Sequence, residues 1–179
     1  MGVIGWLIVG AEVAFWIVIL LGLITRYVFK NKGLGLFFLA LTPVIDLILL
    51  ISTTLDIRNG ATATTVHGIA AIYLGVSLAF GKSMINWADR QFTYYVLKTG
   101  AKPAKKIGYE HARHGMKGSL QHVLAFIIGA AFIFGIHTFI GDPDRTANLL
   151  DLLRVWALVV GIDLAISVSY FIWPRKAKA

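Results

Sequence analysis

The stretch "LGLFFLALTPVIDLILLISTT", residues 34–54, runs for 21 residues without a lysine or arginine. About 20 helical residues cross the roughly 30 Å hydrocarbon core of a bilayer. By length and composition it reads as a membrane span, which leaves Pro43 and Asp46 to be explained. Four more segments meet the same criterion: Val3–Thr25, Thr64–Lys82, Ser119–Ile140 and Leu149–Trp173. The first is read as a retained helix rather than a cleaved leader. Met1–Gly5 carries no basic side chain, the apolar run is too long, and Glu12 interrupts it.

The whole composition agrees with this reading. Hydrophobic residues make up 58% of the 179 and charged residues 15%, far from the soluble average on both counts. The chain has no cysteine, which excludes disulfides, thiolate metal sites and cysteine nucleophiles. The predicted fold is an all-α integral membrane bundle of five transmembrane helices in a single domain covering residues 1–179.

Orientation follows from the basic residues. Fourteen of the seventeen lysines and arginines lie after the first helix, between Lys82 and Lys117, or in the tail at Arg175, Lys176 and Lys178. All three positions belong to one face. Excess positive charge marks the cytoplasmic side, so the N-terminus is expected outside and the C-terminus in the cytoplasm. The net charge of +8 then points to anionic lipid headgroups, worth about 1 kcal/mol per juxtamembrane basic residue. Nucleic acid is not expected, because the chain shows no stacking platform or recognition helix.

The outer loops carry turn and cap chemistry: Asn59-Gly60 as a turn, and Asp142 as an N-cap ahead of Pro143. The long connection is a cytoplasmic linker at about 83–118. Its first part extends the third helix to about residue 98 and brings Trp87, Tyr94 and Tyr95 to the headgroup zone. "TGAKPAKKIG" then breaks the helix. Gly68, Ala71, Gly75 and Ala79 form a ridge of small residues on the third helix, suited to close helix approach in lipid. The ridge serves a central helix or a homodimer equally well.

Charged side chains deep in a span are costly, about 2.5–3.5 kcal/mol for a central Asp on insertion scales, and they face protein or a wet cavity. Counted along the apolar spans, Glu12, Asp46 and Asp163 all fall near mid-depth on three different helices. They are the expected proton, cation or ligand site, with His67 as a further relay or ligand. Thr42, Thr53 and Tyr73 supply nearby polar groups, Ser167 and Tyr170 share a face with Asp163, and Pro43 frees the carbonyl of Leu39. The competing reading is structural: protonated carboxyls that hydrogen-bond neighbouring helices and fix their register. Arg154 either pairs with Asp151 or snorkels outward, or it meets Asp46, Asp56 or Glu12 on another helix.

The remaining histidines point to no metal site. "EHARH" lacks the H-E-x-x-H order of zinc hydrolases and sits among basic residues. His111, His114 and His122 are expected at headgroups or helix ends, and His137 as an interhelical hydrogen-bond donor. No nucleophile triad, phosphate loop or dinucleotide motif occurs, so no cofactor is predicted and an enzyme is not the leading expectation.

The runs "TPVIDLILL", "TVHGIAAIYLGVSLAFGKSMINWAD" and "RVWALVVGIDLAISVSYFIWPR" resemble small polytopic integral membrane proteins of Gram-positive bacteria. The resemblance covers most of the chain. It implies a bacterial plasma membrane location and carries over no activity, cofactor or mechanism. Transport of protons, cations or a cation-coupled solute is the leading expectation. An accessory or assembly subunit of a larger membrane complex is the alternative. An intramembrane enzyme on a lipid-linked substrate, using Asp46 or Glu12 with His67, comes third.

Overall fold

A computed structural model describes residues 3–98 and 106–174, and among these residues the chain is all helix with no strand. Most of the helix-breaking stretch at 99–105 and the basic tail at 175–179 lie outside the described residues. The elements are α1 (Val3–Tyr27), α2 (Lys32–Ala40), α3 (Thr42–Arg58), α4 (Thr65–Tyr95), α5 (Gly108–Ile140) and α6 (Pro143–Ile172). Together they supply five candidate membrane spans, with α2 and α3 contributing one between them.

Pro43 explains why that span comes in two pieces. Proline has no N–H to donate to the carbonyl four residues back, that of Leu39, and it is tolerated in the first turn of a helix. The ladder therefore stops at Ala40 and restarts at Thr42. The carbonyl of Leu39 is not left bare, because Thr42 Oγ1 donates to it at 2.9 Å.

α1 and α2 form a tight antiparallel hairpin, and Asn31 caps α2 by accepting from Leu34 N at 3.0 Å. Glycine is needed where the two helices meet. A Cβ on Gly35 would lie 2.6 Å from that of Arg26 and 2.9 Å from the carbonyl oxygen of Gly22.

α4 is the central helix, packed against α3, α5 and α6. Its Ala70, Ala71 and Leu74 enter a core with Leu49 and Ile57 of α3, Ile133 of α5 and Leu149 of α6. The ridge of small residues is filled within the chain. A Cβ on Gly75 would meet the carbonyl oxygen of Ala125 at 2.5 Å, and one on Gly68 would strike Leu152. In lipid such close contact matters because apolar burial alone does not hold helices together.

Both long helices of the second half reach beyond the apolar spans. α5 starts at Gly108 and α6 at Pro143, where Asp142 caps it by accepting from Arg145 N at 3.1 Å. The face opposite the basic one is tied together by polar contacts. Ala63 N donates to the carbonyl of Arg145 at 2.8 Å, and Asn148 Nδ2 to that of Ala63 at 2.9 Å.

Candidate functional site

One turn into α3 from the break, Asp46 points at α4 and is only 3% exposed. Ser77 of α4 donates its hydroxyl to the Asp46 carboxylate. Beside them lies a cavity of about 290 Å³, lined on the α1 side by Glu12, Phe15 and Trp16 and on the α4 side by Tyr73 and Ser77, with Asp46 on the α3 wall. Two of the three mid-span carboxylates therefore share one cavity.

The cavity exists because α1 rests on α2 and α3 and scarcely touches α4. Near the basic face the gap is closed by a clamp. Arg26 Nε donates to Asp89 Oδ1 at 2.7 Å, Tyr27 also donates to Asp89, and the Tyr27 ring stacks on Phe92 with centroids 3.8 Å apart. Away from the clamp the cavity is a crevice between α1 and α4 that opens sideways, and Glu12, Trp16 and Tyr73 at its rim are exposed.

Asp163 sits elsewhere. It accepts from Ser119 Oγ at 2.6 Å and from His122 Nδ1 at 2.8 Å, while Ser119 and Ser167 hydroxyls lie 2.6 Å apart. The His122 ring lies against Phe80 of α4, with centroids 4.8 Å apart. Phe80 is three residues past Ser77, about 4.5 Å nearer the basic face at 1.5 Å per residue.

Asp163 therefore does not join Glu12 and Asp46: its hydrogen-bond partners lie on α5, and it is not among the residues that line the crevice.

His67 does not enter the crevice. It is the third residue of α4 and closes a capping box with Thr64, whose backbone N donates to His67 Nδ1 at 3.1 Å. The ring proton is thereby assigned to Nε2, which faces Asp56 Oδ2 at 3.2 Å. Ser77, the partner of Asp46, is ten residues further along α4, or about 15 Å. An acid–base pair of Asp46 and His67 is not assembled.

The supporting residues divide in the same way. Tyr73 lines the crevice. Thr42 covers the helix break, while Thr53 Oγ1 bonds back to the carbonyl of Leu50 at 2.9 Å. Arg154 takes the local partner, Asp151, at 2.7 Å, and its side chain is largely exposed. Ser167 belongs to the Asp163 cluster, and the Tyr170 ring packs edge-on against His111, centroids 5.0 Å apart. His137 bonds Thr146 Oγ1 of α6 at 2.7 Å, the interhelical role its position suggests.

Sequence reading passed over two groupings. Ser119 and His122 are three apart on α5, Asp163 and Ser167 four apart on α6. Two such pairs on antiparallel neighbours face one another, and that was the available signal. The Arg26–Asp89 clamp gave a weaker one, because Asp89 lies among residues that read as a basic linker. Among the described residues, no three histidine or acidic side chains converge as a metal site.

The chain is 58% identical over 176 residues to the uncharacterized membrane protein YmcC of Bacillus subtilis (strain 168). That alignment covers 98% of this chain and 95% of the relative. No family model and no solved structure matches it.

Proposed function

From the premise that the chain belongs to the family of that Bacillus membrane protein, and is likewise a multi-pass membrane protein, we propose that it transports protons, cations or a cation-coupled solute across the bacterial plasma membrane. Glu12 and Asp46 are the ion-carrying groups. The observation that carries this reading is their shared cavity. A carboxylate inside a span is costly unless it faces protein or water, and here two of them on different helices line the same space.

In this reading the basic face is cytoplasmic, as the positive-inside rule requires. The Asp163–His122 pair then lies on the cytoplasmic side of the Glu12–Asp46 site and gives a proton a second station. His122 suits that role because its ring nitrogen is hydrogen-bonded to the Asp163 carboxylate at 2.8 Å. The small-residue ridge, which would also suit an assembly interface, is occupied by α5 and α6 of the same chain.

Purified protein in liposomes enclosing a pH-sensitive dye tests the proposal, driven by a potassium diffusion potential or an imposed cation gradient. Wild-type protein is expected to carry proton or cation flux, with the Glu12→Gln, Asp46→Asn double variant reduced to the level of empty liposomes. Equal flux in wild type and double variant would sink the reading.

A further inference from the structure

We infer that the occupant of the α1–α4 crevice is a small lipophilic organic cation, a substituted ammonium bearing an aromatic or alkyl group, which enters sideways from the bilayer. The inference rests on the reading of Glu12 and Asp46 as ion-carrying groups and names what they carry.

Size comes first. About 290 Å³ is at the small end of ligand sites, which run from roughly 300 to 1,000 Å³. That suits a molecule of about ten heavy atoms and is far more than a bare ion needs.

The walls decide the chemistry. Apart from Glu12, Asp46, Ser77, the Tyr73 hydroxyl and the Trp16 N–H, the lining is apolar and includes the rings of Phe15 and Trp16. A hard metal ion asks for about six oxygen ligands close by, whereas among the described residues no three acidic or histidine side chains converge to hold one. An organic ammonium asks for no inner coordination shell. Its charge is spread over the carbons around nitrogen, which aromatic faces attract most strongly where water is excluded. Carboxylates on two sides of the crevice supply the complementary charge, which a neutral ligand does not use and an anionic one is repelled by.

The route follows from the packing. The clamp of Arg26 and Tyr27 on Asp89 and Phe92 shuts the end near the basic face. The rim at Trp16 and Tyr73, 60% and 44% exposed, faces sideways. Amphiphilic cations concentrate at anionic membrane surfaces, and from there one whose organic group sinks into the bilayer meets this opening within the span.

Phenyltrimethylammonium and its uncharged isostere tert-butylbenzene, titrated calorimetrically into the full chain in detergent, test the inference. The cation is expected to bind saturably to wild-type protein, with affinity roughly tenfold weaker for Glu12→Gln and for Asp46→Asn, several-fold weaker for Trp16→Ala, and no saturable binding of the isostere. Glu12 sits on the exposed rim, so its variant remains informative if Asp46→Asn does not fold. Cation binding that is absent, matched by the isostere, or unchanged in Glu12→Gln overturns the inference. The two readings fail separately. Flux that depends on Glu12 and Asp46 without phenyltrimethylammonium binding overturns this inference and leaves transport standing. Carboxylate-dependent binding without flux supports this inference and removes transport.

Discussion

Asp46 of α3 accepts a hydrogen bond from Ser77 of α4, so the most deeply buried carboxylate in the bundle is tied to its central helix. Ser77→Ala removes that donor and leaves a buried acceptor unpartnered, at an expected cost of about 1–3 kcal/mol. Ser77→Thr keeps the hydroxyl and is expected to stay close to wild type. Thermal unfolding in detergent reads both. If the alanine variant melted with wild-type protein, the bond would have no energetic weight.

The clamp between α1 and α4 is partly buried, with side chains 13% exposed for Arg26 and 33% for Asp89. Arg26→Met or Asp89→Asn is expected to cost about 1.5–3 kcal/mol, the range for hydrogen bonds to charged groups. The double variant should cost clearly less than the sum, because both changes break the same contact. Strict additivity in a thermal-unfolding cycle would contradict a direct pairing.

Gly75 and Gly81 lie on the same helix and predict opposite outcomes. A methyl on Gly75 meets the backbone of α5 at 2.5 Å, whereas one on Gly81 meets nothing within 4 Å. Gly75→Ala is expected to destabilise by about 1–3 kcal/mol through overpacking, and Gly81→Ala to stay within about 0.5 kcal/mol. Equal melting of the two variants would argue against α5 seated on the ridge.

Asp163 does not line the crevice, so Asp163→Asn is expected to leave phenyltrimethylammonium affinity within about twofold of wild type, close to thermal energy. Asp46→Asn is expected to lower it by roughly tenfold. In the liposome assay, Asp163→Asn should slow proton movement without abolishing cation binding. A matching loss of binding in both variants would mean that the two acid clusters act as one site.

The chain has no native cysteine, which makes sidedness directly testable. A single cysteine at Asn59 or Asp144 is expected to react with an impermeant maleimide added outside intact cells. One at Lys30 or Lys117 is expected to react only after lysis. The reverse pattern would invert the orientation drawn from the basic residues.

Much of this architecture was legible in the sequence, for a physical reason. Crossing a bilayer sets a length and forbids most charge, so the spans declare themselves. Local pairs were also readable: Arg154 with Asp151 and the Asp142 cap require only spacing along one helix. What could not be read depends on what lies opposite a helix. That Asp163 stands apart from Glu12 and Asp46 could not be read, because its partners Ser119 and His122 sit on another helix. His122, expected at headgroups or a helix end, pairs instead with Asp163, 41 residues away on another helix. The role of the small-residue ridge was open because Ala125 and Gly129, which fill it, sit on another helix.

Gly22 and Gly35 let α1 and α2 meet backbone to backbone, and α1 takes its distance from α4 partly from that meeting. Neither glycine lines the crevice, yet enlarging either would push α1 to a new position. Divergence at these two positions could therefore retune which molecules fit while every lining side chain stayed the same. A family tree sorted by lining residues alone would miss such a change in taste.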